Sequence, residues 1–74
     1  MLVKRAINHS AVNRTDTFLV VRKEKDKVVG VESHKTEFAA LKARNILAEH
    51  DLRVGSIQSL SDYFVIRMNE VEWE

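Results

Sequence analysis

Three histidines, His9, His34 and His50, are the side chains of this 74-residue sequence best suited to hold a metal or move a proton. Imidazole does both near neutral pH. Carboxylates such as Glu37 and Glu49 could complete a ligand set. Yet no two histidines are spaced i, i+4, and there is no His-Glu-x-x-His run. If His34 and His50 stand at opposite ends of one helix, a rise of about 1.5 Å per residue sets them roughly 24 Å apart, too far for one site. His50 then favours the negative end of the helix dipole, and His34 is solvated. His9-Ser10 pairs a base with a hydroxyl. A working nucleophile also needs an oriented base and an oxyanion pocket, which two neighbours in a loop do not supply. The sequence has no phosphate-binding loop and no dinucleotide fingerprint. No catalytic residue, metal or cofactor is expected, and the chain reads as something other than an enzyme.

The remaining candidates bind rather than react. "RKEKDK" brings Arg22, Lys23, Lys25 and Lys27 to one short stretch, where a basic finger could contact phosphates. Glu24 and Asp26 interleave with them and halve the charge, which also suits a solubilising turn that protects a strand edge. Phe38, Leu41, Tyr63 and Trp73 are candidates for a protein contact, because exposed aromatic and large apolar groups concentrate at such surfaces. The alternative for Phe38 and Leu41 is that they finish a small core, and for Trp73 that it pins the last strand.

The elements must be built from a short chain. Seventy-four residues make one domain, 1–74, with much of its surface exposed. There is no Cys, which excludes disulfide staples and thiolate zinc sites. The hydrophobic fraction is 45%, ordinary for a folded protein. The longest apolar runs are only a few residues, so no membrane span and no signal peptide is expected, and the cytoplasm is the expected location. The net charge of +1 hides a mild asymmetry, +3 over residues 1–37 and −2 over residues 38–74. That is too weak to diagnose a nucleic-acid partner.

Residues 1–16 read as an N-terminal strand and loop. "TFLVVRK" and "KVVGVE" read as a β-hairpin within 17–32, turning at "EKD", with Gly30 marking a bulge or a close backbone approach. Residues 34–50 form the helix, capped by Ser33 or Thr36. At about 100° per residue its sheet-facing side holds Ala39, Ala40, Ala43, Ile46 and Leu47, while Phe38, Leu41 and Ala48 fall outside it. Residues 54–73, with a strand from Val54 or Gly55 and another in "YFVIRMNEVEW", read as a closing hairpin. The predicted fold is α+β: a small antiparallel sheet of four or five strands in ββαββ order, with one helix on one face and the other face uncovered.

A hairpin, the capped Ala-rich stretch "VESHKTEFAALKARNILAEH", and then "GSIQSLSDYFVIRMNEVEW" with Gly55-x-Ile57 and the late Trp73 resemble small proteins of bacteriophages and mobile elements. These include anti-CRISPR inhibitors of similar length and strand order. The segment "SLSDYFVI" is also similar to part of the ribosomal silencing factor family. The first resemblance implies a non-catalytic regulator in a host cytoplasm that sterically blocks a host protein complex, with no functional residue carried over. A homodimer is the further partner class expected, and a nucleic-acid accessory role through the basic hairpin is the alternative.

Overall fold

The computed structural model describes residues 1–6 and 11–74. The described residues form strands β1 (Leu2–Arg5), β2 (Phe18–Glu24), β3 (Lys27–His34), β4 (Tyr63–Arg67) and β5 (Glu72–Trp73) and one α-helix, α1 (Glu37–Arg53). Two single-turn 3-10 helices, Leu60–Asp62 and Met68–Glu70, flank β4. The strand order is β4-β2-β3-β1-β5. The fold is therefore α+β, one helix on a five-stranded sheet.

The sheet is mixed, not wholly antiparallel. β2 is antiparallel to both neighbours, β3 and β4, but β1 runs parallel to β3 and to β5. The expected closing hairpin is also absent. β4 and β5 lie on opposite edges, and the segment read as a strand from Val54 or Gly55 is a loop leading into the 3-10 turn at Leu60. Gly55 has φ +80, and its N–H donates to the Leu52 carbonyl at 3.3 Å while the Ser56 N–H donates to Asp51 at 2.8 Å. That is the six-to-one and five-to-two bonding of a glycine-terminated helix, so α1 runs three residues past the expected end.

The β2–β3 hairpin forms as the sequence predicts. Lys25, at φ 55, takes the first central position of its turn. Both readings of Gly30 hold. Val20 pairs with Glu32 but Val21 with Gly30, which leaves Val31 as the extra residue of a bulge. A Cβ on Gly30 would stand 3.1 Å from the Trp73 ring.

Alternation along β2 sends side chains to two apolar clusters. Val20 joins Ala40, Ala48, Ile57 and Tyr63 under the helix. Leu19 and Val21 join Val3 and Ile66 on the opposite face. That second face was expected to be open. Instead Val12, Met68, Val71 and Trp73 lie across it, and Val3, Leu19 and Val21 are fully buried. The run "FLVV" signalled this, since a strand buried on both faces reads as continuous rather than alternating apolar sequence.

The helix is rotated from its expected phase. Ala40 and Ala48 are buried, Ala43 and Leu47 pack beside them, and Ile46 is 60% exposed. Thr36 caps the N-terminus by accepting from the Ala39 N–H at 3.2 Å. Ser33 instead accepts from the Asn13 N–H and donates to Asp16, both at 2.7 Å, tying the 11–16 loop to β3.

Candidate functional site

β4 is an edge strand, and its backbone decides what that edge offers. The Met68 N–H donates to the Thr17 carbonyl at 2.8 Å. In an antiparallel ladder bonded positions alternate with unbonded ones. Ile66 and Phe64 therefore turn their amides and carbonyls toward β2, and Tyr63, Val65 and Arg67 turn theirs away. The outer side is partly occupied. Arg44 on α1 donates from Nε to the Tyr63 carbonyl at 2.8 Å and from a terminal nitrogen to the Leu60 carbonyl at 2.7 Å. The Tyr63 N–H donates to Leu60. No described segment lies along the rest of the edge.

A groove of about 590 Å³ follows this edge on the helix side. Phe18 and Val65 lie at its floor, Glu37, Leu41 and Arg44 along its helix wall, and Arg67 at its end. The Arg67 guanidinium lies 5.6 Å from the Phe18 ring centre. One line of α1, at i, i+4 and i+7, thus presents an acid, an apolar group and a base to the free edge. Leu41 is 46% exposed, and Phe38, three residues earlier on the outer shoulder, is 79% exposed. Both are exposed, as the sequence predicts, and the rotated helix brings Leu41 beside β4.

The other expected contact residues are placed differently. Tyr63 is 1% exposed and belongs to the core under the helix. Its hydroxyl donates to Asp51 Oδ2 at 2.5 Å and accepts from Arg22 at 3.3 Å. The hydrogen bond from Tyr63 holds the Asp51 carboxyl below the usual carboxylate range against the effect of burial, with His50 and Arg22 adding to it. Burial first, then the bond to Asp51, pushes the Tyr63 phenol up. Trp73 is half-buried on Gly30, with Arg5 and Arg14 at 5.6 and 5.4 Å from its ring, and so pins the second face.

The basic tip does not converge. Arg22 turns inward to Tyr63 and also donates from Nε to Glu24 at 2.8 Å, while Lys23, Lys25 and Lys27 are exposed. His34 contacts Glu32 at 2.6 Å, and His50 contacts Asp51 at 3.1 Å. No group of three His, Cys, Asp or Glu suited to a metal is found among the described residues; His9 and Ser10 lie outside them. No helix among the described residues is long and apolar enough to cross a membrane.

Arg44, Val65 and Asp51 are residues that reading the sequence missed, and it weighed Glu37 only as a metal ligand; Arg44, Val65 and Glu37 are the ones at the groove. These three matter because β4 is an edge, and strand order is not written in local pattern. Comparison with protein-family models, with curated proteins and with solved structures gives no match to this chain.

Proposed function

We propose that this chain is a non-catalytic protein-interaction module that docks another polypeptide along β4, beneath Leu41 and Phe38. The observation that carries the reading is the outer N–H and carbonyl of Val65 and the outer N–H of Arg67, which no described segment pairs, beside an apolar flank. Unpaired strand edges recruit strands, because main-chain hydrogen bonds supply affinity and flanking pockets supply selectivity. Natural proteins usually blunt such an edge with charge or cover. Here Arg44 covers the Tyr63 end, Arg67 and Glu37 stand toward the other, and Leu41 borders the part between. The clustered titratable groups, Arg22, Asp51 and Tyr63, are satisfied by one another, which suits a structural role better than a reaction. The action is steric: it occupies a surface. A host complex in the cytoplasm is the target class that the resemblance to phage and mobile-element proteins implies.

The test is site-specific photo-crosslinking in cells that make the protein, with a benzophenone amino acid at Leu41 and a control at exposed Glu49. A discrete adduct at residue 41 and none at 49 is the expected result. No adduct at either position would remove the β4 edge as a docking surface.

A further inference from the structure

We propose that the occupant of the β4 edge is a second copy of this chain, paired antiparallel about a two-fold axis that passes through the sheet beside Val65; this rests on the reading of β4 as the docking edge. Three observations select a second copy over an unrelated strand.

The first is the shape of the free window. Tyr63 has spent its N–H on Leu60, and its carbonyl already accepts from Arg44. What remains is the Val65 N–H and carbonyl and the Arg67 N–H. A long foreign strand finds little more than one residue's worth of ladder. A second copy centred on Val65 uses all of it. The two Val65 residues exchange both of their bonds, and each Arg67 N–H reaches the Tyr63 carbonyl of the second copy, which keeps one lone pair beside Arg44.

The second is the register of the helix against the strand. Arg44 is fixed to Tyr63, and α1 runs from the Arg67 end of β4 toward the Tyr63 end. Leu41, three residues back along α1, is about 4.5 Å away from Arg44 along the axis, and Val65 is about 6.6 Å from Tyr63. Leu41 therefore stands on the Val65 side of Arg44, and the two line one groove, which places Leu41 near the axis. Both helices fall on the same face of the joined sheet. If each helix sits half to one strand spacing inside its own edge, their axes are about 10–14 Å apart. That gap is wider than the usual helix contact, and Leu41 and Phe38 from each copy fill it.

The third is charge. Glu37 lies four residues before Leu41 and Arg44 three residues after it. A two-fold at Leu41 brings Glu37 of each copy beside Arg44 of the other, acid to base on both sides. A formal net charge of +1 adds little repulsion between copies. The contact is isologous and closes on itself.

Sedimentation of the purified full chain, from low micromolar to near-millimolar concentration, tests this. The expected species has twice the 8.5 kDa chain mass. Leu41→Lys sets two ammonium groups at the axis and is expected to give monomer. So is Val65→Pro, which removes the outward N–H and keeps the ladder to β2, although it also replaces a side chain that packs under the helix. Both are expected to keep the far-ultraviolet circular dichroism of the parent, and if Val65→Pro fails to fold, Leu41→Lys still decides the question. Glu37→Lys is expected to weaken association about tenfold or more, since it sets like charges together. A parent chain that stays monomeric, or a dimer that survives Leu41→Lys, overturns the proposal. A monomeric parent that still gives a crosslinked adduct of another protein at residue 41 removes the second copy while leaving β4 as a docking edge. A monomeric parent with no adduct removes both.

Discussion

Tyr63 joins three elements through one hydroxyl: the strand it sits on, Asp51 near the end of α1, and Arg22 on β2. This makes it a pH-sensitive tie with two separate limbs. Asp51 is depressed in the fold, so its contribution is present above the unfolded value of about 3.9 and is lost as pH falls below it. Tyr63 is raised, so its contribution is present below about pH 10 and is lost as pH rises through the folded value. Tyr63→Phe is expected to cost about 1–3 kcal/mol near neutrality, because Asp51 loses its donor. It should also flatten the alkaline limb and soften the acid one. Urea unfolding across pH measures all three, and an alkaline limb unchanged in Tyr63→Phe would contradict the assignment. A second single-residue test lies at Gly30, where the Trp73 ring leaves no room for a branched side chain. Gly30→Val is expected to lift the indole off the sheet, shifting emission to the red and lowering the melting temperature. The chain has one Trp, so the signal has one source.

At the scale of elements, the helix shows how a sound local reading loses its phase. The Ala-rich composition, the Thr36 cap and the exposure of Phe38 and Leu41 were legible. The rotation was not, because Ala39, Ala40, Ala43 and Ala48 surround the axis and none marks a face by size. Tertiary contacts chose: Arg44 anchors to the β4 backbone and Asp51 to Tyr63, and this turns Ile46 to solvent. Two substitutions separate the phases. Ala48→Leu, at a fully buried site, is expected to overpack and cost about 1–3 kcal/mol. Ile46→Lys, on the exposed side, is expected to stay within about 0.5 kcal/mol of the parent. The phase expected from sequence requires the reverse, and thermal melts of the two variants decide. Gly55 carries a related lesson. Next to Val54 it read as the start of a strand, yet a lone glycine after a helical run is first a helix terminator.

At the scale of the molecule, the class was legible and the topology was not. The hairpin, the helix and β4 each leave a local periodicity. The parallel pairings of β1 leave none, since nothing in "LVKR" or "VEW" names a partner. The docking edge was hidden for the same reason. Leu41 and Phe38 stood out as misplaced apolar groups, but the strand beside them became an edge only once β5 was seen to go to the far side of the sheet. That placement has a kinetic consequence. Leu2 pairs with Glu72, so the far edge closes across seventy residues of sequence. Lys4 pairs with Val29 across twenty-five. Closing long loops costs chain entropy before any contact repays it, and domains rich in such pairings fold toward the slow end of the range for their size. Trp73 sits at that closure, while the β2–β3 turn and α1 need only near neighbours. Stopped-flow refolding followed by indole emission is expected to fall in the millisecond-to-second range rather than the microseconds typical of helical bundles. Val3→Ala, which loosens the β1–β5 seam together with the second-face cluster that Val3 joins, is expected to speed unfolding more than it slows folding.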